Sequence, residues 1–277
     1  MKPSFTRSCP ARLAMAALFL ASLDSAHAAA EADILIAFDN SYFDGTGGID
    51  NAEVLTANSV AASNFINDQS GTGARMKIVG YHPTYNQGGR SDLPGYIGWI
   101  LNYGDGELND VSAAADAAGA DLIAYICQPN QWNTSAANAQ QPGRVAAYTP
   151  ASFWNNVVAH ESGGHNYGVA HEEGRVNPTT IMMHNYCGGG SQPFFSNPNI
   201  WLHGTKLVGG MDGCTVVGWG DGAYHISTTA QAVSDRVARI NYGSKLSPLV
   251  HRWQFNQAAG PAPAGTTVAS SVGSGAL

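Results

Sequence analysis

Charge is scarce in this sequence: 12% of its 277 residues are Asp, Glu, Lys or Arg, and 13 basic residues face 20 acidic ones. Such a chain has little positive charge to offer a phosphate backbone, so nucleic acid is not an expected partner. Cysteine is scarce too, with four in all. Past the first two dozen residues no run approaches the roughly eighteen consecutive apolar residues of a membrane-spanning helix. No tandem repeat is visible, which argues against a solenoid.

The apolar run that does exist sits at the start. Lys2, Arg7 and Arg12 precede Leu13 to Leu23, and Ala26-His27-Ala28 supplies the small residues that signal peptidase needs. This is the pattern of a secretory leader, and the expected compartment is extracellular or periplasmic. Cleavage is expected after Ala28, with Ala30 as the alternative, leaving ten basic residues against nineteen acidic ones. Cys9 would depart with the leader. Cys127, Cys187 and Cys214 remain, an odd number and too few for a four-cysteine zinc site. Cys187 and Cys214 flank a Gly- and Pro-rich segment that a cross-link would hold, whereas Cys127 ends an apolar strand. The expected bridge is therefore Cys187 to Cys214, with Cys127 buried.

The densest chemistry lies between His160 and His171, which reads His-Glu-Ser-Gly-Gly-His-Asn-Tyr-Gly-Val-Ala-His. Three neutral imidazoles, from His160, His165 and His171, can hold Zn²⁺ and leave a fourth position open for water. Glu161, beside the first of them, can take that water's proton. Any one histidine alone reads more readily as an ordinary surface or core residue; the constellation carries the inference. One spacing is irregular. His160 and His165 are five apart, which on a regular α-helix turns the second ring roughly 140° from the first. A wide, π-type turn over Ser162 to Gly164 would restore a common face, and Gly163 and Gly164 offer it little steric resistance.

The remaining chain reads as one sizeable α/β domain, 29–245. Strands are expected at Asp33 to Phe38, Met76 to Tyr81 and Tyr96 to Leu101, and the capping-box pattern Asp50-Asn51-Ala52-Glu53 should open a helix running to about Asn67. A helix is expected at Leu108 to Ala118, and Thr149 before Pro150 should start the one that carries His160. Thr229 to Ile240 reads as a closing helix. Asp39, Asp44 and Asp50 lie in a Gly-rich stretch that can bind Ca²⁺, although a solvated loop is the blander reading.

His165-Asn166-Tyr167-Gly168-Val169-Ala170-His171 resembles the second half of the metzincin zinc-peptidase signature, in which the glycine lets the chain turn back to the metal. The extra residue between the first two histidines is similar to the zinc motif of the dipeptidyl peptidase three family. Thr180-Ile181-Met182-Met183 resembles the methionine-containing turn of astacins and reprolysins, with Met182 as its methionine and Met183 as the alternative. His184 stands where astacins and serralysins carry a tyrosine; Tyr186, further on, is a candidate transition-state stabiliser. Gly119 to Ile126 looks like the reprolysin strand before the edge strand. Val145, Ala146, Ala147 and Tyr148 look like the edge strand that pairs with extended substrate, and Phe195-Ser196-Asn197-Pro198 is similar to a segment of bacterial secreted metzincins. Asn166 is reprolysin-like, while Glu172 resembles the astacins.

This resemblance implies a twisted, mostly parallel sheet with an antiparallel edge strand, a zinc-binding helix, a Met-turn and a C-terminal helix. It implies a secreted, monomeric zinc endopeptidase acting on protein or peptide substrates, with one catalytic Zn²⁺ and Glu161 as general base. Only a few residues separate the leader from the first strand, so latency through a cysteine-switch propeptide is not expected. The tail 246–277 reads either as a flexible linker or as the opening strand of a laminin-G-like β-sandwich, from His251-Arg252-Trp253-Gln254-Phe255-Asn256. The rival reading is a catalytically silent zinc-binding protein, an adhesin or a carbohydrate-associated module.

Overall fold

The computed structural model describes residues 30–237, apart from 86–88, 131–134, 184–191 and 213. The leader 1–28 and the tail 246–277 lie outside the described residues. At the centre is a five-stranded sheet in the order β2-β1-β3-β5-β4. Its strands are β1 (Ala30–Asp39), β2 (Ala74–Thr84), β3 (Leu122–Ile126), β4 (Ala137–Ala139) and β5 (Val145–Tyr148). The pairs β1–β2, β1–β3 and β3–β5 are parallel, and only β4 runs antiparallel.

Strand β1 shows why the sheet is covered on both faces. Ile34, Ile36 and Phe38 point to one side and Leu35 and Ala37 to the other, and all five are buried. A strand apolar on both faces needs a layer on each, the usual state of a parallel sheet. On the first face lie α2 (Ile49–Ser70), α5 (Asn155–Glu161) and α6 (Gly222–Ser234), which contribute Val60, Ile66, Val158, Ala159, Ile226 and Val233. The short α1 (Asn40–Thr46) adds Tyr42 and Phe43 there. On the second face α3 (Leu93–Leu101) and α4 (Asn109–Ala118) contribute Leu93, Tyr96, Ile97, Val111 and Ala115. Two hairpins follow the histidine-rich region: β6 (Asn197–Leu202) with β7 (Thr205–Leu207), and β8 (Gly209–Asp212) with β9 (Thr215–Gly220).

Several expectations need correction. Tyr96 to Leu101 is helix, not strand. The Asp92 side chain accepts the Gly95 N–H at 2.9 Å, Pro94 occupies the first turn, and Leu93, Tyr96, Ile97 and Ile100 bury one face at helical spacing. The helix carrying His160 starts at Asn155 rather than at Thr149. Ser152 bonds the carbonyls of Thr149 and Ala136, tying that segment to the β4 side before the helix begins. Asp50 does not cap α2, whose N-cap is Gly48; it lies in the first turn, where a carboxylate complements the helix dipole. The closing helix begins earlier than expected, because Asp221 accepts the Tyr224 N–H.

The most consequential correction concerns the sheet edge. Val145, Ala146, Ala147 and Tyr148 are fully buried and paired on both sides, by β3 and by β4. They have no backbone edge left to offer a substrate. Among the described residues the outermost strand on this side is β4, Ala137–Ala139.

The cap on α3 can be tested on its own. Asp92→Ala removes the acceptor for the Gly95 N–H and should lower stability by about 1 kcal/mol in urea unfolding, with an unchanged denaturant slope.

Candidate metal centre

The five-residue spacing between His160 and His165 is resolved by ending the helix. α5 stops at Glu161, and the Val158 carbonyl accepts two N–H groups, from Ser162 at 3.0 Å and from Gly163 at 3.1 Å. The second bond spans five residues and makes the wide turn. The chain then passes through Gly164 into a 3₁₀ turn, His165–Tyr167. The expected wide turn is present, but at the end of the helix rather than as a bulge inside a continuous one. Gly164 is required by contact: a Cβ there would overlap the Met182 sulfur and lie 2.5 Å from the His160 carbonyl oxygen. Gly163 is hemmed in by the Ala159 carbonyl oxygen, 2.7 Å from where its Cβ would be. Gly168, at φ +99°, reverses the chain so that Val169 N–H reaches the Gly164 carbonyl and a second 3₁₀ turn, His171–Glu173, follows.

These turns bring the three imidazoles together. The His160 and His165 ring centroids are 4.7 Å apart, and the Nε2 atoms of both lie 3.0 Å from His171 Nε2. Their other nitrogens are already committed. His160 Nδ1 faces the Ile181 carbonyl at 2.7 Å, and His165 Nδ1 faces the Val169 carbonyl at 2.8 Å. A carbonyl only accepts, so each Nδ1 carries the hydrogen and each neutral ring presents its Nε2 lone pair to the common centre. With His171 Nε2 3.0 Å from both, the three ring nitrogens lie close enough together for one cation to bridge them. The donor set thus fits a metal ion, with the backbone carbonyls fixing ring orientation and tautomer. Among the described residues this is the one group of histidines, cysteines and carboxylates so gathered; Asp39, Asp44 and Asp50 do not form a second. Asp39 instead caps α1 through the Ser41 N–H.

The other candidates fall around this centre. Glu161 is buried, its Oε2 has no hydrogen-bond partner, and desolvation pushes its carboxyl up to about 8. Met182 packs its sulfur against Gly164, and the adjoining Ile181 carbonyl orients His160, so the turn Thr180–Met183 underlies the histidines. Met183 is buried beside it and also lines the cleft. His184, Tyr186 and Cys187 lie outside the described residues, so the placement of Tyr186 and the Cys187 to Cys214 bridge are not described. Cys127 is a buried free thiol, and no two cysteines among the described residues are bonded to each other. Ser196 and Asn197 tie their segment to its surroundings. Ser196 Oγ donates to the Glu173 carbonyl, and Asn197 Nδ2 donates to that of Ser70.

A cleft of about 560 Å³ opens over the histidines. Its lining includes Glu161 and the three histidines, Trp154 and Val157, and Ser135 to Ala139 with all of β4. Sequence reasoning did not identify the carbonyls of Ile181 and Val169, because backbone acceptors leave no residue signature. It also missed Glu173 and His225, which lie far apart in sequence and meet only in the fold.

No protein-family model matches this chain, and no curated protein does. A chain in a solved structure of a chaperone–substrate complex shares the fold, with a TM-score of 0.60 at 18% identity. The match covers 76% of this chain and 35% of that one, so the present chain spans about a third of its length. At that identity the likeness is one of fold alone.

The turn geometry has a direct consequence. Gly164→Ala should displace Met182 or the His160 backbone and lower metal affinity, read with Zn²⁺ as the probe, by about 10- to 100-fold in a chelator-competition titration. Gly98→Ala, in α3 with open space at the added Cβ, should leave affinity unchanged.

Proposed function

We propose that this chain is a zinc-dependent endopeptidase of metzincin type, exported through its leader and acting on protein or peptide substrates. The observation that carries the reading is the shared lining of one cleft, where the Nε2 atoms of three histidines converge beside Glu161, whose Oε2 has no hydrogen-bond partner. His160, His165 and His171 would hold the ion. When bound, Zn²⁺ supplies Lewis acidity, acidifying water and polarising a carbonyl.

The chain's own groups account for the rest. Glu161, as a carboxylate, accepts the proton of the attacking water and returns it to the leaving amine. A neighbouring cation opposes the desolvation that raises this carboxyl and favours its charged form. Burial and the missing partner on Oε2 leave the carboxylate without a competing hydrogen bond there. β4, outermost in the sheet among the described residues, lines the cleft, where an extended peptide could add as a further strand. Substrate alignment is therefore assigned to Ala137–Ala139 in place of Val145–Tyr148. The Met182 sulfur against Gly164 supports the metzincin comparison, since the family's methionine turn also underlies the metal. The silent-protein rival rested on an inserted residue that spoils the geometry; the wide turn at Ser162–Gly164 absorbs that residue.

Glu161→Gln keeps the size of the side chain and removes the base. Zinc content should persist, while hydrolysis of casein or gelatin, abolished by chelator in the parent, falls by about 10²-fold or more. Near-normal turnover by the variant would overturn the assignment of Glu161, and a metal-loaded parent without proteolysis would favour the silent reading.

A further inference from the structure

We infer that His225 is a positioning residue for the metal centre, acting through Glu173 on the third imidazole, His171; the inference rests on the metal reading above. His225 lies on α6, more than fifty residues beyond the motif, and its Nδ1 meets both carboxylate oxygens of Glu173, at 2.9 and 3.0 Å. The same carboxylate accepts the Ala170 N–H at 2.9 Å, and the Glu173 N–H returns to the Ala170 carbonyl at 3.1 Å. Glu173 thus closes the short turn that contains His171. A single-turn 3₁₀ segment has little stability of its own, so the direction of the His171 ring depends on what holds that turn.

α6 also holds the turn by a second path, with no side chain from the motif. The Gly222 N–H donates to Ser196 Oγ at 2.8 Å, and Ser196 Oγ donates to the Glu173 carbonyl at 2.6 Å. That path fixes the backbone of Glu173, whereas His225 fixes its carboxylate, the group that reaches Ala170. The far edge of the His225 ring lies over Gly168, where an added Cβ would come within 3.0 Å of Nε2. One side chain therefore spans the chain reversal at Gly168 and the turn at His171. Glu173 is largely enclosed, its side chain 14% exposed, which limits competition from water for the contact.

The test uses the full-length chain and two metals. Zinc affinity is read by competition with a chromophoric chelator, and the geometry of the site by the visible absorption of the Co²⁺-loaded protein. His225→Ala should bind zinc about 10- to 100-fold more weakly and shift the cobalt bands. His225→Asn places an amide N–H where Nδ1 stood and should restore most of both. Ile226→Val loosens the same helix in the core without touching Glu173; it should lower the unfolding midpoint and leave affinity and spectrum unchanged. If His225→Ala matches the parent in affinity and spectrum, or if Ile226→Val reproduces its defect, the positioning role is overturned while the metal site stands. A parent chain that binds neither metal overturns the metal reading, and the inference with it.

Discussion

Two histidine side chains are turned inward by carbonyls that can only accept, and much of the site follows from that constraint. Because Ile181 and Val169 take the Nδ1 hydrogens of His160 and His165, both Nε2 lone pairs face the same point as His171. Three ring nitrogens so gathered can hold one cation. The carbonyls come from segments packed around the helix end, the turn after Thr180 and the reversal at Gly168. The tertiary packing of those segments is therefore part of the ligand geometry.

The five-residue interval from His160 to His165 forces the second structural decision. A continuous helix would aim the rings apart, so α5 ends and the chain turns through Ser162, Gly163 and Gly164. Having no side chain at Gly164 admits the Met182 sulfur, and the neighbouring Ile181 carbonyl meets His160. The glycines, the methionine turn and the orientation of the first histidine are thus one packing solution. The sheet supplies the frame, with β5 buried and β4 left as the edge along the cleft.

What could be read from the sequence divides by range. Ligand residues and their neighbour Glu161 are contiguous, so their chemistry is visible in a dozen letters. Strands β1 and β3 are continuous apolar runs and were legible for the same reason. α3 differs from the strand its sequence suggests because Leu-Ile-Trp-Tyr-rich stretches suit either period; the decisive signals are Asp92 as cap and Pro94 in the first turn. The identity of the edge strand was not legible. Val145–Tyr148 and Ala137–Ala139 are both short and uncharged, and only the antiparallel pairing decides which lies outside. His225 gave no signal either, since its partner Glu173 becomes its neighbour only when α6 folds back onto the motif.

The central claim, that His160, His165 and His171 share one zinc ion with a position left open, is most directly tested by X-ray absorption at the zinc edge of the purified chain. The account predicts about one zinc per chain with about three imidazole scatterers and an additional oxygen at first-shell distance. Two or fewer imidazoles, or a sulfur ligand, would contradict it.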